Sequence, residues 1–218
     1  CENLPVVLRR KDGSTVECVV SASTLDIDGT PHLISLTRDV TEQRALEAQL
    51  THDAATDALT GVANRRHFLA QAQEQMHHAT QSGRSLCVAV IDIDGFKQIN
   101  DICGHAAGDA ALEHFARVAE RRTREVDLLG RLGGDEFGLL LPHAGIDEAY
   151  AIVDRIRQDL LAEPVPDLDP TEPLVITISA GVAALRSNTE TLQEAIAEAD
   201  SALYEAKAQG RNRTIKVS

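Results

Sequence analysis

The amino-acid sequence predicts an α/β (α+β) fold, in which a central sheet containing antiparallel pairs is covered by helices. Three observations lead to this prediction. An apolar run of strand length, residues 86–91, ends abruptly at Asp92, as a buried central strand does. Two further apolar runs flank Gly133-Gly134-Asp135-Glu136, which is the pattern of a β-hairpin. Helical segments alternate with these strands, and the order βααββαβαβ contains a split βαβ arrangement.

Composition narrows the class of protein and its partners. The 218 residues are 43% hydrophobic, which is enough for a proper core, and no apolar run approaches membrane-spanning length. The formal net charge of −13 argues against a nucleic-acid backbone or an anionic lipid surface as the main partner. The four cysteines lack metal-site spacing, which fits a reducing cytoplasm. Because the chain starts at Cys1, we expect a fragment of a longer protein, whose preceding part could carry a membrane anchor.

Residues 1–40 predict strands joined by tight turns at Arg10–Gly13 and Asp28-Gly29. The apolar stretches lie at 6–8, 16–20 and 32–36. The segment leads into Arg38-Asp39-Val40-Thr41-Glu42, and it resembles the C-terminal portion of a PAS sensor domain. The resemblance assigns no ligand. An antiparallel meander that mainly mediates dimerisation is the alternative.

Residues 41–56 predict a connecting helix. Asp39 and Glu42 form the pattern of a helix N-terminal cap, and Leu46 and Leu50 fall on one helix face. In proteins that this chain resembles, such a helix pairs with its twin as a parallel coiled coil and transmits the state of the sensor. The alternative is an ordinary amphipathic helix that packs on its own domain.

From residue 57 onward, hydrophobic periodicity predicts the remaining elements in order. They are helices at 67–82, 96–103, 108–122, 147–161 and 192–208, and strands at 126–132, 137–141, 174–183 and 214–217, besides the strand that ends at Asp92. Gly133-Gly134 is predicted to supply the positive-φ residues of the hairpin turn, with Asp135 and Glu136 projecting from its end.

The acidic residues at the strand ends are candidates for a metal site. Asp92 closes a buried strand, and Asp135 and Glu136 close the hairpin. Buried carboxylates that lie side by side repel each other unless a cation compensates them, and Mg²⁺ or Mn²⁺ is suited to carboxylate and carbonyl oxygens together with phosphates. The alternative is an acidic, solvated turn.

These residues also resemble a known family. The motifs, in chain order, are Asp57-Ala58-Leu59-Thr60-Gly61, Asn64-Arg65-Arg66, Asp92-Ile93-Asp94-Gly95-Phe96-Lys97-Gln98-Ile99-Asn100-Asp101, Gly104-His105, Gly108-Asp109, Gly133-Gly134-Asp135-Glu136-Phe137, Ser179-Ala180-Gly181-Val182-Ala183 and Ala199-Asp200 through Gly210-Arg211-Asn212. Over residues 57–218 the chain resembles GGDEF domains, the diguanylate cyclases. The resemblance implies a ferredoxin-like, palm-type nucleotidyl cyclase domain.

The resemblance also implies a reaction. Two GTP molecules are joined into cyclic di-GMP with release of two pyrophosphates, by a homodimer in which each subunit holds one GTP. Asp92, Asp135 and the Ile93 carbonyl are implied to hold Mg²⁺ (or Mn²⁺), two ions per active half-site. Asp135 is also implied as the base for the 3′-hydroxyl proton, with Glu136 as a neighbouring acid.

Six residues are candidates for binding GTP: Phe96, Lys97, Asn100, Asp109, Lys207 and Arg211. A carboxylate can accept from N1–H and the N2 amine of guanine, and an Asn amide can donate to O6 or N7, so Asp109 and Asn100 favour guanine over adenine. The Phe96-Lys97 backbone, Lys207 and Arg211 are donors for the triphosphate. The alternatives are helix capping by Asn100 and Asp109, and complementation of a helix C-terminus by Lys207 and Arg211.

Arg124 and Asp127 match the Arg-x-x-Asp pattern of GGDEF domains that are inhibited by their product. Arg124 could bind phosphate or stack on guanine, and Asp127 could accept from the guanine edge, with Arg155 as a second contact. A surface ion pair is the alternative. For the whole chain, the alternatives to a cyclase are a non-catalytic module that binds GTP or cyclic di-GMP, and a dimerisation fragment.

Overall fold

A computed structural model describes residues 1–44, 46, 55–166, 173–185 and 191–217. The chain divides into two compact units, Cys1–Asp53 and Ala54–Ser218. Of the predicted connecting helix, 41–56, residues 41–44, 46 and 55 are helical, and residues 45 and 47–54 lie outside the described part. Thr56 is not helical, because it forms an isolated antiparallel bridge with Ala63. In the described ranges, no helix has both the length and the apolar character needed to cross a membrane.

The N-terminal unit is a three-stranded antiparallel meander. Its strands are β1 (Leu4–Arg9), β2 (Thr15–Ile27) and β3 (Thr30–Asp39), in the order β1-β2-β3. Turns follow each of the first two strands where the sequence predicts them, and Gly13 (φ +89°) and Gly29 (φ +80°) supply the left-handed conformation there. Backbone hydrogen bonding continues past β3, since the Val40 N–H donates to the Glu17 carbonyl at 2.9 Å.

The C-terminal unit is a mixed sheet with helices on both faces. Its strands are β4 (Ala63–Asn64), β5 (Leu86–Ile93), β6 (Leu128–Gly133), β7 (Glu136–Pro142), β8 (Ile178–Ala184) and β9 (Arg213–Lys216). Its helices are α1 (Arg65–Ser82), α2 (Phe96–Cys103), α3 (His105–Glu120), α4 (Ile146–Ala162) and α5 (Leu192–Ala208). The strand order is β4-β6-β7-β5-β8-β9. From β5 onward the predicted order βααββαβαβ is confirmed.

Strand β5 lies at the centre of the sheet and is antiparallel to both of its neighbours, β7 and β8. Its side chains alternate between two cores. Leu86, Val88 and Val90 pack with α1 and α5, whereas the residues between them pack with α3 and α4. Because Asp92 continues the alternation of Val90, its carboxylate lies on the face covered by α1 and α5.

Close packing explains two glycines of the hairpin. Gly130 of β6 is paired directly with Gly138 of β7, and the Phe68 ring of α1 lies on both. A Cβ atom on Gly130 would lie 2.8 Å from Cβ and Cδ2 of Phe68. A Cβ atom on Gly138 would lie 2.6 Å from Cζ of Phe68. Side chains at this pair would therefore displace the ring, which is fully buried.

Two strands begin later than predicted, and helix α3 begins earlier, at His105 and not at 108. Strand β8 begins at Ile178, not at 174, because the preceding backbone bonds elsewhere: the Leu174 carbonyl accepts from the Val165 N–H at 2.8 Å. Strand β6 begins at Leu128, and Val126, predicted to belong to it, is 56% exposed. Of the predicted loop at 163–173, residues 167–172 lie outside the described part.

Replacing Gly181 by alanine tests the packing of α5 on β8. Its Cβ would lie 1.9 Å from the Ala199 carbonyl oxygen and 2.5 Å from the Leu203 nitrogen, and backbone atoms cannot rotate away. We expect Gly181→Ala to lower the free energy of unfolding of the C-terminal unit by about 3 kcal/mol, measured by urea denaturation of the full chain. Gly145→Ala is the control, because no atom lies within 4 Å of that Cβ. A cost no greater for Gly181→Ala than for the control would contradict the close approach.

Candidate active site

The β6–β7 hairpin positions the acidic turn. Gly133 pairs with Glu136, so the two turn residues are Gly134 and Asp135. The predicted Gly133-Gly134 turn is therefore wrong by one residue, although both glycines have the predicted positive φ, +153° and +54°. The reason is an irregularity in pairing between Arg131 and Gly133, which moves the turn along the chain. Gly134 has a φ of +54°, which a residue with a side chain rarely adopts, and it allows the chain to present Asp135.

Arg131 fixes this turn from inside the hairpin. Its Nε and Nη2 donate to the Gly134 carbonyl at 3.0 and 2.8 Å, and its Nη1 donates to Asp57 Oδ1 at 3.1 Å. Both side chains of this ion pair are mostly buried, with 17% and 23% exposure. A guanidinium can reach both acceptors because its donors form a rigid fork. The turn is thereby tied to the segment that precedes β4.

Asp57 is itself held as a carboxylate. Its Oδ1 accepts from the Thr60 N–H at 3.0 Å and from the Thr60 hydroxyl at 2.8 Å. Burial raises the pKa of Asp57, but the hydrogen bonds from Thr60 and the charge of Arg131 outweigh burial and lower its pKa overall. The ionised form of Asp57 is therefore the one that stabilises the fold.

Asp92 and the acidic turn lie at neighbouring strand ends, as predicted. Asp92 pairs with Glu136 in the register of β5 and β7, and the Ile93 N–H donates to the Asp135 carbonyl at 3.3 Å. Asp92 is buried, whereas Glu136 is exposed and Asp135 is half-buried. Burial raises the pKa of Asp92 against the opposing effect of Lys207, and the charges of Asp135 and Glu136 raise it further.

A cation already lies on Asp92. The Lys207 ammonium of α5 is 2.7 Å from Asp92 Oδ2, and the two side chains are 33% and 10% exposed. The site therefore accepts positive charge. Among the described residues, no three or more His, Cys, Asp or Glu side chains are arranged to hold an ion by themselves. Two carboxylates and backbone carbonyls nevertheless suit Mg²⁺, which commonly uses one or two carboxylates plus substrate phosphates.

Asp94 has a structural role that the sequence analysis did not assign. Its carboxylate accepts from the Thr177 hydroxyl at 2.8 Å, the Ser179 hydroxyl at 2.7 Å and the Asn212 N–H at 3.0 Å. It therefore joins the start of β8 to the loop after α5. That loop carries Arg211, which is exposed and has a φ of +60°. Serine and threonine at the start of β8 were the available signal, since hydroxyls commonly pair with a nearby carboxylate.

The candidates for guanine recognition meet at the corner between α2 and α3. The Asn100 amide packs against Gly108 so closely that a Cβ there would lie 2.0 Å from Asn100 Oδ1. Asp109 follows Gly108 directly and is exposed. Phe96 and Lys97 occupy the first turn of α2, whose leading N–H groups have no partner within the helix. The described geometry therefore brings Asn100 to the residue directly before Asp109, at one corner of the unit.

Arg124 and Asp127 form the ion pair that the sequence analysis gave as the alternative to an inhibitory site. Arg124 Nη2 donates to Asp127 Oδ1 at 2.9 Å and to the Pro142 carbonyl at 3.1 Å. The Asp127 side chain is fully buried, whereas that of Arg124 is 43% exposed. Hydrogen bonding to Asp127 raises the pKa of Arg124. Arg155 is exposed on α4.

Replacing Asp57 by asparagine tests the Asp57–Arg131 link through pH. Because the folded-state pKa of Asp57 is lowered, its stabilisation is fully present above the unfolded pKa of about 3.9 and is lost as pH falls through the folded value. We expect Asp57→Asn to cost about 2 kcal/mol near neutral pH and progressively less in acid, measured by urea denaturation across a pH series. In a chain that already carries Arg131→Met, Asp57→Asn should lower the free energy of unfolding by less near neutral pH. A pH-independent cost would contradict the role assigned to the charge.

Comparison with known proteins agrees with this geometry. Residues 54–213 match the family model "Diguanylate cyclase, GGDEF domain". Diguanylate cyclase DgcM of Escherichia coli K12 is 38% identical over 214 residues, covering 97% of this chain and 50% of that protein. The chain thus spans about half the length of this relative.

Solved structures give the same result. Diguanylate cyclase SiaD of Pseudomonas aeruginosa, in complex with its activator SiaC, is 38% identical with a TM-score of 0.73, covering 81% of this chain and 66% of that one. The coiled coil and GGDEF domain of DgcB from Caulobacter crescentus, in complex with c-di-GMP, is 32% identical with a TM-score of 0.77, covering 82% of this chain and 93% of that one. This chain therefore belongs to the GGDEF-domain family of diguanylate cyclases.

Proposed function

We propose that this chain is an active diguanylate cyclase that condenses two GTP molecules into cyclic di-GMP. The observation that carries the proposal is the placement of Asp92 beside the Asp135-Glu136 turn, with a cation held on the buried carboxylate. If the acidic residues formed only a solvated turn, Asp92 would need neither to be buried nor to be paired with a cation. The family membership and the relatives named cyclases support the same activity.

Asp92, Asp135 and the Ile93 carbonyl are the residues that would hold Mg²⁺ or Mn²⁺, two ions per active half-site. When bound, these ions neutralise phosphate charge and lower the pKa of a coordinated hydroxyl. Asp92 is fixed near the end of the central strand β5, where it pairs with Glu136 of β7, and Asp135 is fixed through the Arg131 contact to Gly134. Both ligands are therefore preorganised, which is the main requirement for phosphoryl transfer.

The remaining residues bind and orient GTP. Asp109 accepts from the N1–H and N2 amine of guanine, and Asn100 donates to its O6 or N7, so adenine is rejected for lack of the amine. The backbone N–H groups of Phe96 and Lys97 lie at the N-terminus of α2. They can donate to a phosphate, because helix N-termini bind anions. Lys207 and Arg211 supply further positive charge for the triphosphate.

The reaction needs two subunits. The 3′-hydroxyl oxygen of one GTP forms a bond to the α-phosphorus of the other, and the bond from that phosphorus to pyrophosphate breaks. The reciprocal step closes the ring and releases a second pyrophosphate. Asp135 takes the 3′-hydroxyl proton, and Glu136, exposed beside it, is the neighbouring acid. Because each subunit holds one GTP, a homodimer is required.

Product formation from GTP tests this proposal. Purified protein with Mg²⁺ should release pyrophosphate and form cyclic di-GMP, identified by mass, and Asp135→Asn should lower the rate at least about a hundredfold because it removes both a metal ligand and the base. Asp147→Asn is the matched control, since Asp147 is an exposed carboxylate that pairs with Lys216 on β9. GTP binding without product would instead indicate a non-catalytic module, and a chain that stays monomeric could not complete the reaction.

Feedback inhibition by cyclic di-GMP at Arg124 and Asp127 is part of the proposal, with Arg155 as a further contact. The side chain of Arg124 is 43% exposed while it bonds to Asp127, and its Nη1 also lies 3.6 Å from the exposed Glu148 carboxylate, so a phosphate would replace Glu148 as the partner of that nitrogen. Asp127 has a second role, because its Oδ2 accepts the Arg124 N–H at 2.8 Å and closes the turn before β6. Replacing Asp127 would therefore disturb the turn as well as the site.

Arg124→Ala is accordingly the sharper test of inhibition. We expect cyclic di-GMP synthesis to continue past the point where the wild type stalls, with at least about a tenfold rise in the product concentration for half-inhibition, as expected on loss of a charge-assisted contact. Arg121→Ala is the matched control, because Arg121 makes a comparable ion pair with Glu163 at 2.6 Å. Equal stalling in both variants would remove Arg124 from the inhibitory site.

We also propose that residues 1–40 are the C-terminal portion of a PAS-like sensor domain and that residues 41–56 connect it to the cyclase at 57–218. The antiparallel meander of β1 to β3 supports this assignment, since it reproduces the predicted strands and turns. The substrate and product are intracellular nucleotides, so we place the activity in the bacterial cytoplasm.

A further inference from the structure

Lys207, the ion-pair partner of Asp92, has two roles that conflict with each other. Lys207 is a donor for the triphosphate in the proposed function, yet its ammonium lies 2.7 Å from Asp92 Oδ2. Asp92 in turn is a ligand of the proposed metal. An ammonium and a divalent cation on the same carboxylate oxygen compete with each other, because like charges at such a distance repel strongly.

The surroundings of Asp92 make the ammonium necessary in the protein alone. The carboxylate is 10% exposed, and Asp135 and Glu136 lie on the adjacent strand end. An unpaired buried carboxylate beside two acids would be costly, and breaking a buried pair by removing one partner destabilises a protein. Lys207 therefore supplies the positive charge that the fold needs before any metal arrives.

The geometry of Lys207 also allows it to leave. Its side chain is one-third exposed and sits in the last turn of α5, on a flexible four-carbon stem. The helix backbone itself is fixed, because α5 packs against β8 at Gly181 with no room for a Cβ. Lys207 can thus change partner by rotating its side chain while the helix stays in place.

We propose that Lys207 is the resident counter-ion of Asp92 and that it is displaced from the carboxylate when a divalent cation binds, which frees its ammonium for the phosphates of the nucleotide. This inference rests on the proposed function for the identity of the metal and of the phosphates. Lys207 is then a positioning residue with two successive partners. It weakens metal binding in the absence of nucleotide and strengthens nucleotide binding once the metal is present.

Two consequences for affinity follow. Removing the ammonium should make Asp92 a better ligand for a metal alone, because the metal no longer competes with a bound cation. The same change should weaken binding of a metal–nucleotide complex, because a phosphate contact is lost. A residue that only stabilises the fold would weaken both, so opposite signs are the signature of the exchange.

Mn²⁺ binding without nucleotide is the first test. We expect full-chain Lys207→Met to bind Mn²⁺ about fivefold more tightly than the wild type, by electron paramagnetic resonance at about pH 8, far above the usual pKa of a carboxyl. Lys216→Met is the matched control, since it removes one positive charge from a different ion pair, with Asp147. Equal or weaker binding by Lys207→Met relative to Lys216→Met would overturn the proposal, as would failure of all three proteins to bind Mn²⁺.

Direct observation of the ammonium is the second test, and it uses the wild-type residue. The chain has four lysines, so reductive ¹³C-methylation, which keeps the charge, gives a spectrum that single variants can assign. Addition of Mg²⁺ alone should shift the Lys207 resonance, and Asp92→Asn should abolish that response. A Lys207 resonance that ignores Mg²⁺ while Mn²⁺ binds would mean that the metal uses the other oxygen of Asp92 and that no exchange occurs.

These measurements are separable from the cyclase assay. A chain that exchanges Lys207 for a metal but forms no cyclic di-GMP would contradict the proposed function and leave this inference standing. A chain that forms cyclic di-GMP without the exchange would support the proposed function and contradict this inference.

Discussion

A carboxylate buried at the end of a strand that is covered on both faces is the constraint on which the C-terminal unit depends. Asp92 follows residues of β5 that are almost completely buried, and burial favours its neutral form. The ammonium of Lys207 offsets this cost, and it reaches the carboxylate because α5 lies very close to the sheet. Gly181 makes that approach possible, since any side chain there would meet the backbone of α5. The close packing at Gly181 of β8 thus lets Lys207 compensate the charge of Asp92 in β5.

The acidic turn depends on a second set of contacts. Phe68 lies on the paired glycines Gly130 and Gly138, which fixes the body of the hairpin against α1. Arg131 then fixes its tip by donating to the Gly134 carbonyl and to Asp57. The position of Asp135 is therefore set by close packing at one end and by a guanidinium at the other. The proposed role of Asp135 as a metal ligand in phosphoryl transfer requires precise placement of this kind.

Asp92 and Asp94 show how surroundings divide the roles of two similar residues. They are two positions apart at the end of one strand. Asp94 accepts from two hydroxyls and a backbone N–H, so it joins parts of the protein. Asp92 is paired with the flexible ammonium of Lys207, which, as we propose, a metal ion displaces. The first carboxylate is committed to the fold, and the second is the one to which the proposed function assigns a metal.

The sequence by itself determined the class of the fold, the order of elements from β5 to β9 and the residues at the ends of β5 and the hairpin. It could do so because apolar runs, helix periodicity and the glycine turn are local properties of the chain. Only the tertiary structure decided that Gly134 and Asp135 form the turn, that Arg131 holds it, that Asp94 joins β8 to the loop after α5, and that Lys207 lies on Asp92. These contacts join residues distant in the chain, and no local pattern specifies which donor meets which acceptor. Burial then raises the pKa of Asp92, and burial is a property of the packed structure and not of the local sequence.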